Sequence, residues 1–311
     1  MEFKDKISVV VPFRNVKPYL ADCLNSIKNQ TYTNFEVILL DDDSDDGSEV
    51  IAEEFAKEDK RFIYYRLTKQ PSIAAVRNLG VEYATGKYLS WVDSDDIVSK
   101  DFLKILHKSI TSGNYQMSAC KFKKTSNRKA HLGKYSKKLN IKSYSALEAQ
   151  KICLSCDKIG GYLPLKLLVT DIARQVKFNG ELKACEDLAY VIEYLELCSN
   201  ICLTSKKLYL YYMRRGSLSR SGNLKKITNF ARGVNYIVKY SKDKPYYNHA
   251  LCWKGVLSIY LYWFAKRDGK KKNHLLIALL RQNILNAKKL LRYNETMPFY
   301  YKFYVRLGTI L

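Results

Sequence analysis

The sequence predicts an α/β protein with a mostly parallel central sheet and helices on both faces, followed by a helical C-terminal region. Two observations lead to this prediction. Within the first hundred residues, short apolar runs rich in β-branched side chains alternate with segments of helical periodicity. Beyond the polar stretch RRGSLSRSGN, at 214–223, the pattern stays helical. We therefore expect two domains, residues 1–222 and residues 223–311.

Each element of the first domain follows from its own pattern. Buried parallel strands are apolar, β-branched runs, and such runs occur at 7–13 and 35–40; a third and a fourth strand are indicated at 62–67 and 87–92. Helices are indicated where apolar side chains recur three and four residues apart, at 19–29, 49–57 and 73–84. Because this order needs crossover connections, we expect parallel strands with ligands bound outside their carboxyl ends.

The later elements are less regular. The sequence indicates a strand at 117–123, a basic loop or flap at 121–142, a helix at 187–197 and a strand-like run at 208–213. The C-terminal region divides into helical segments with interruptions near 242–245, 268–269 and 297–298.

The composition is that of a folded chain of 311 residues, of which 47% are hydrophobic and 27% are charged. No apolar run approaches the roughly 18 residues that a membrane span needs. The N-terminal residues lack the pattern of a secretory signal. The eight cysteines are scattered, which favours buried reduced thiols over a disulfide scaffold. These observations predict a cytoplasmic protein.

The net charge of +23 is unevenly distributed. Residues 1–100 hold 13 basic and 18 acidic side chains, whereas residues 223–311 hold 18 basic and 3 acidic ones. A nucleic-acid-binding protein could have such a chain, but no recognisable nucleic-acid-binding motif accompanies the charge. Contact of 223–311 with an anionic membrane surface is favoured, since 248–267 and 297–311 mix apolar, aromatic and basic residues. The alternatives are a helical bundle with a solvated basic face, an oligomer interface, or attraction of an anionic acceptor.

Two acidic clusters follow predicted strands. Asp93-Ser94-Asp95 follows the fourth, where two carboxylates can bind one Mg²⁺ or Mn²⁺ together with the phosphates of a ligand. Asp41-Asp42-Asp43-Ser44 follows the second and could serve a metal, a phosphate or a donor-bearing nucleobase edge. The alternatives are a solvated turn for the first cluster and helix capping for the second.

Five segments occur together in a set order: VVVPFRN (9–15), FEVILLDDDSDDGS (35–48), AAVRNLG (74–80), YLSWVDSDD (88–96) and CEDLAYVIEYL (185–195). In order and spacing they resemble the inverting glycosyltransferases of family 2, in particular the bacterial surface-polysaccharide type, over roughly residues 5–222. The resemblance implies the GT-A fold, a UDP-sugar donor and a divalent metal.

The resemblance also implies roles for single residues. The residues placed against the nucleotide-sugar are Pro12, Arg14, Asn15, Asp42, Arg77, Asn78, Asp93 and Ser94, with Asp42 accepting from the uracil N3–H. Asp95 and Asp93 would be the ligands of Mn²⁺ or Mg²⁺. Arg215, Ser217 and Ser219 belong to a segment that closes over the diphosphate.

The catalytic base implied by the resemblance is Asp187, and the preceding Glu186 lies on the acceptor side. As base, Asp187 would take the proton from the acceptor hydroxyl that attacks the anomeric carbon. The alternative is a carboxylate that only stabilises the N-terminus of its own helix.

Three positions depart from the family pattern. Arg14 stands where tyrosine is common, and Asp43 and Ser72 stand where glycine is common. A guanidinium can stack on a base as a tyrosine ring does, but a preference for uracil then has less support. We expect Asp43 to change the local turn.

The sequence thus predicts a metal-dependent inverting glycosyltransferase that moves a sugar from a UDP-sugar to a hydroxyl of a glycan or lipid-linked acceptor. The expected setting is the assembly of capsule, exopolysaccharide or wall polymer at the inner face of the cell membrane. The enzymatic alternative is a nucleotidyltransferase, although PFRNVKPY lacks the glycine-rich phosphate loop expected after the first strand.

Overall fold

A computed structural model describes residues 5–127, 130, 132, 139–155, 160–213, 224–267 and 274–290. The chain divides into two compact units. The first comprises the described residues of Met1–Ala146, Tyr162–Glu181 and Glu193–Ser217. The second comprises those of Leu147–Gly161, Leu182–Ile192 and Leu218–Leu311.

Nine strands form in the described residues: β1 Ile7–Phe13, β2 Phe35–Asp42, β3 Phe62–Leu67, β4 Tyr88–Trp91, β5 Ile97–Val98, β6 Met117–Thr125, β7 Ile141–Ser145, β8 Lys166–Val169 and β9 Asn200–Tyr212. The helices found there are α1 Lys17–Lys28, α2 Ser48–Glu58, α3 Ile73–Tyr83, α4 Phe102–Thr111, α5 Ala146–Leu154, α6 Thr170–Ala173, α7 Glu186–Glu196, α8 Leu224–Tyr240, α9 Tyr247–Arg267 and α10 His274–Leu290.

The strands belong to one sheet with the order β3-β2-β1-β4-β8-β6-β9-β5, and β7 pairs with β9. The first four strands of that order are mutually parallel, so their carboxyl ends lie at one edge. Strand β8 then runs antiparallel between β4 and β6. The predicted α/β class with a mostly parallel sheet is confirmed, and C-terminal helices follow it.

Strand β1 lies in the middle of the parallel part, and all seven of its residues are buried. Helix α3 packs closely on it, since a Cβ added at Gly80 would lie 2.5 Å from Val10 Cγ1. Pro12 lacks the N–H that a central strand normally donates. The paired register of β4 with β1 ends at Val10, so Pro12 lies beyond the residues of β1 that pair with β4.

The apolar runs predicted β1 and β3 with the observed bounds, and β2 extends two residues further, to Asp42. The predicted run at 208–213 is the end of the longer β9, whose first half the sequence analysis missed. Strand β8 was also missed, because four residues are too few to show a period of two.

In the second unit, helices α9 and α10 share an apolar core. A Cβ added at Gly255 would lie 2.0 Å from the Ala287 Cβ, so the two helices approach closely at this point. The described side chains between 249 and 262 are buried or half-buried. These buried side chains give the predicted membrane contact of 248–267 no support, and that contact stays a prediction. The segment 297–311 lies outside the described residues.

Helix α10 presents a different surface. Leu279 and Leu285 are 53% and 46% exposed, and Lys288 and Lys289 lie in the last turn. The sequences of α8, α9 and α10 contain no aspartate or glutamate. Among the helices that the structure describes, none is both long and apolar enough to cross a membrane.

Candidate active site

Asp41 and Asp42 end β2 and have different surroundings. Asp41 is fully buried, and its carboxylate accepts hydrogen bonds from Ser44 N at 2.9 Å and from the Tyr64 hydroxyl at 2.9 Å. These bonds satisfy both oxygens, so Asp41 holds the turn after β2. Asp42 is the carboxylate of the pair that remains partly accessible.

The two oxygens of Asp42 face different groups. Oδ1 accepts a hydrogen bond from Gln70 N at 2.6 Å, which fixes the carboxylate. Oδ2 lies 3.7 Å from Nη1 of Arg14, whose side chain is 38% exposed. Arg14 and Asp42 therefore form an accessible ion pair at the carboxyl ends of β1 and β2.

Asn15 joins the loop after β1 to the loop after β2. Its side chain donates to Asp45 Oδ1 at 2.8 Å and accepts from Asp45 N at 3.0 Å. The backbone N–H of Asn15 donates to Ser44 Oγ at 3.1 Å, and the Asn15 φ of 50° lies in the left-handed region. Asn15 thus fixes the loop that carries Arg14.

Two of the positions that depart from the family pattern keep a defined local structure. Asp43 has a φ of 62°, in the left-handed region that glycine enters at least cost and that aspartate tolerates. The turn therefore adopts a glycine-like conformation with aspartate in place. Ser72 caps α3, because its hydroxyl accepts from Ala75 N at 3.3 Å.

Arg77 and Asn78 lie on α3 and contact the segment near Phe178. Arg77 is buried, and its guanidinium carbon lies 5.8 Å from the centre of the Phe178 ring. The Asn78 amide donates to Phe178 O at 3.0 Å and accepts from Phe178 N at 2.9 Å. Asn78 therefore holds this segment, and its predicted nucleotide contact remains a prediction.

The residues Asp93 to Asp96 form a turn after β4. The turn is closed by a hydrogen bond from Asp96 N to Asp93 O at 3.0 Å. Asp93 N donates to the Tyr209 hydroxyl at 3.1 Å, and the Cys23 thiol donates to Asp93 O at 3.5 Å. Ser94 is buried, whereas Asp93 and Asp95 are partly accessible. The turn presents two carboxylates on a firmly held backbone.

Asp96 is the third carboxylate of this turn, and the sequence analysis gave it no role. It is 1% exposed, and Oδ1 accepts from Tyr212 N at 2.7 Å. Burial, together with the negative charges of Asp93 and Asp95, raises the pKa of Asp96 to about 8. The largest cause is burial, so Asp96 is a buried carboxyl group of the turn and not one of its two accessible carboxylates.

The described residues contain no group of three or more His, Cys, Asp or Glu side chains placed to hold a metal ion. Mg²⁺ or Mn²⁺ needs only one or two carboxylates from a protein when substrate phosphates and water complete its ligands. Asp93 and Asp95 are residues of the right kind, since both are partly accessible and the turn that carries them is closed by the bond from Asp96 N to Asp93 O.

A small cleft lies beside Asp95 and combines aromatic rings with polar side chains. Its other lining residues come from distant parts of the sequence: Tyr19, Asp22, Ile97, Asn127, Leu210 and Tyr212. The Tyr19 and Tyr212 rings are 5.7 Å apart at their centres. No periodicity in the sequence links these residues, so sequence reasoning could not find them.

Glu186 and Asp187 begin α7 and belong to the second unit. The first helical hydrogen bond runs from Ala189 N to Cys185 O at 3.0 Å, and Cys185 has a φ of 62°. Asp187 Oδ1 accepts from Leu188 N at 2.8 Å, leaving Oδ2 for other contacts. The predicted Arg215, Ser217 and Ser219 lie outside the described residues.

The family model for glycosyl transferase family 2 matches residues 8–164, half of the chain. Glycosyltransferase GlyA of Streptococcus pneumoniae is 32% identical over 226 residues, which cover 70% of this chain and 32% of GlyA. GlyG of the same organism is 30% identical over 239 residues, covering 69% of this chain and 73% of GlyG. This chain therefore belongs to glycosyl transferase family 2. The matched part spans about a third of the length of GlyA.

Shorter and more distant similarities extend this result. The minor teichoic acid biosynthesis protein GgaB of Bacillus subtilis is 39% identical over 100 residues, covering 32% of this chain and 11% of GgaB. S. aureus TarS 1–349, solved with UDP-GlcNAc, has a TM-score of 0.67 at 21% identity and covers 98% of this chain and 88% of that one. Mannosyltransferase PcManGT of Pyrobaculum calidifontis, solved with GDP-Man and Mn²⁺, has a TM-score of 0.61 at 14% identity, covering 99% and 88%. These structures share the GT-A fold.

Proposed function

We propose that this protein transfers a sugar from a UDP-sugar to a hydroxyl of a glycan or lipid-linked acceptor, with inversion and with a divalent metal. The observation that carries the proposal is the placement of Asp42 and of Asp93–Asp95 at the carboxyl ends of β2 and β4. Both strands flank β1 and run parallel to it. A nucleoside diphosphate laid across these strand ends would meet both groups.

The nucleoside end of the donor is assigned to Arg14 and Asp42. Asp42 is held by Gln70 N through Oδ1, which leaves Oδ2 to accept from the N3–H of uracil. Arg14, which is paired with Asp42, is proposed to stack its guanidinium plane on the base. TarS, solved with UDP-GlcNAc, supports a uridine nucleotide, whereas PcManGT was solved with a guanosine one.

The diphosphate end is assigned to Asp93 and Asp95, the residues that would hold Mn²⁺ or Mg²⁺. The chemistry that such an ion supplies is neutralisation of the charge that develops on the leaving diphosphate. The turn contributes a fixed backbone, closed by the bond from Asp96 N to Asp93 O. Arg215, Ser217 and Ser219 are proposed to add positive charge and hydroxyl donors to the same phosphates.

Asp187 is proposed as the base. It lies in the first turn of α7, where its Oδ1 accepts from Leu188 N at 2.8 Å. An ionised Asp187 would accept the proton of the acceptor hydroxyl as that oxygen attacks the anomeric carbon. Attack from the face opposite the leaving UDP inverts the configuration. Glu186 is proposed to contact the acceptor.

The acceptor is proposed to be a surface polymer or its lipid-linked precursor, as the similarity to GgaB supports. Within 223–311, basic residues far outnumber acidic ones, and this positive charge would attract an anionic polymer or an anionic membrane surface. The exposed leucines and lysines of α10 give such a contact a described surface. We therefore propose peripheral association with the inner face of the cell membrane.

The test is a ligand screen on the purified chain. Thermal midpoints are measured with Mn²⁺ and each of a panel of UDP-sugars, GDP-mannose and nucleoside triphosphates. We expect a UDP-sugar to raise the midpoint most, and incubation with it to release UDP. Stabilisation by GDP-mannose alone would overturn the uridine assignment. Release of pyrophosphate from a nucleoside triphosphate and a sugar phosphate would replace the proposal with nucleotidyl transfer.

A further inference from the structure

The main chain of Asp93 is held on both its polar groups. Its N–H donates to the hydroxyl of Tyr209 at 3.1 Å. Its carbonyl accepts from Asp96 N at 3.0 Å and from the Cys23 thiol at 3.5 Å. Two of these partners lie far from the turn in sequence, Cys23 on α1 and Tyr209 on β9. The position of the Asp93 backbone is therefore set by tertiary contacts.

Tyr209 is well placed to do this. Its side chain is 2% exposed, and its ring lies against Phe102 with the centres 6.2 Å apart. The hydroxyl oxygen, held in place by this packing, accepts from Asp93 N.

We infer that Tyr209 is a positioning residue for the metal site: its hydroxyl sets the backbone of Asp93 and, through the turn, the directions of the Asp93 and Asp95 carboxylates. The inference rests on the proposed metal dependence. Groups that orient metal ligands without touching the metal change metal affinity when they are lost, commonly by a factor of about 10 to 100. Tyr209 fits that description, since its hydroxyl contacts the main chain of Asp93 and not the carboxylate that would bind the metal.

The chain offers a matched control in Tyr194. Its hydroxyl accepts from Val169 N at 3.0 Å and donates to Gln116 O at 2.7 Å, and its side chain is fully buried. Tyr209→Phe and Tyr194→Phe therefore each remove one buried hydroxyl that accepts from a backbone amide, while the aromatic ring stays. They differ in which backbone segment loses its partner.

The experiment measures Mn²⁺ binding by electron paramagnetic resonance at a fixed concentration of UDP, and the KM for Mn²⁺ in UDP release. For Tyr209→Phe we expect the dissociation constant and the KM for Mn²⁺ to rise about tenfold, with kcat at saturating Mn²⁺ near the wild-type value. For Tyr194→Phe we expect both constants to stay at the wild-type value, although its thermal midpoint falls as that of Tyr209→Phe does.

The outcomes separate this inference from the proposed function. If the wild-type protein binds Mn²⁺ and Tyr209→Phe binds it equally tightly, the positioning role is overturned while the metal site stands. If both phenylalanine variants weaken Mn²⁺ binding alike, Tyr209 has only a general structural role and the inference also fails. If the wild-type protein binds no Mn²⁺ in the presence of UDP, the proposed metal dependence and the inference fail together.

Discussion

The side chain of Asn78 pairs with the backbone of Phe178 through two hydrogen bonds, of 3.0 Å and 2.9 Å, across a hundred residues of sequence. The amide thus occupies both polar groups of one residue, as a neighbouring strand would. Phe178 in turn lies against Arg77 and packs edge-on against Trp91. Asn78 therefore organises the surroundings of the buried Arg77.

Replacing Asn78 by alanine tests this arrangement. Because two hydrogen bonds are lost and each contributes about 1 kcal/mol, we expect Asn78→Ala to lower the free energy of unfolding by about 2 kcal/mol. Urea denaturation measures the change. The control is Asn179→Ala in the same segment, where Asn179 makes one local bond to Glu181 N. Equal stability of Asn78→Ala and Asn179→Ala would contradict a stabilising role for the two hydrogen bonds between Asn78 and Phe178.

Asp42→Asn tests the nucleoside assignment. Asparagine keeps an oxygen for Gln70 N but places an NH₂ group where Oδ2 would accept from uracil, and it removes the ion pair with Arg14. We expect the dissociation constant for UDP to rise about tenfold or more, the cost of leaving a polar group unpaired. Titration calorimetry with UDP checks this.

The matched control for Asp42 is its neighbour. Asp43→Asn removes the same charge from an exposed side chain whose left-handed backbone asparagine tolerates well. UDP binding by Asp43→Asn is expected to match the wild-type protein. If both variants lost the same affinity for UDP, binding would depend only on the total charge of the loop and not on a contact with Asp42.

Asp187→Asn tests the proposed base. A neutral amide cannot take the proton of the acceptor, so we expect kcat to fall at least about 100-fold, while UDP binding stays unchanged. The control is Glu148→Gln, which removes an acidic side chain from the first turn of α5 and so repeats the loss of helix stabilisation. Near-normal turnover by Asp187→Asn would exclude Asp187 as the base.

His249 gives the second unit a defined response to acid. Burial, helped by the charge of Lys151, lowers the pKa of His249 to about 4 from an ordinary 6.5. Between about pH 6.5 and pH 4, His249 is therefore protonated in the unfolded chain but neutral in the folded one. The free energy of unfolding falls as the pH falls through this range. We expect His249→Phe to reduce this loss in denaturation curves at pH 7 and pH 4.5. If His249→Phe lost as much stability between pH 7 and pH 4.5 as the wild-type protein, His249 would not be a buried neutral imidazole.

The parts of the fold that the sequence predicted are those with strong local patterns. Strands β1, β2 and β3 are short runs made mostly of apolar residues, and α1 to α3 show apolar residues at helical spacing, so local patterns are enough to predict them. Strand β8 and the first half of β9 have no such pattern, because their place depends on pairing with distant strands.

The site divides in the same way. Asp42, Asp93 and Asp95 could be predicted because parallel strands bring their carboxyl ends to one edge. Tyr209, Asp96 and Phe178 could not, since each acts through a hydrogen bond or ring contact that only tertiary structure creates. Asp43 shows the opposite case: a changed turn was expected from the residue type, yet the backbone adopts the conformation that glycine favours.

The central claim, a metal-dependent UDP-sugar transferase, is tested most directly by UDP release from the preferred UDP-sugar, with Mn²⁺ and with EDTA. The wild-type protein, Asp95→Ala and the exposed-site control Asp171→Ala are compared side by side. With Mn²⁺, the account predicts UDP release by the wild-type protein and by Asp171→Ala, and release at least about 100-fold slower by Asp95→Ala. With EDTA it predicts no release by any of the three proteins. Undiminished release by the wild-type protein in EDTA, or by Asp95→Ala in Mn²⁺, would contradict it.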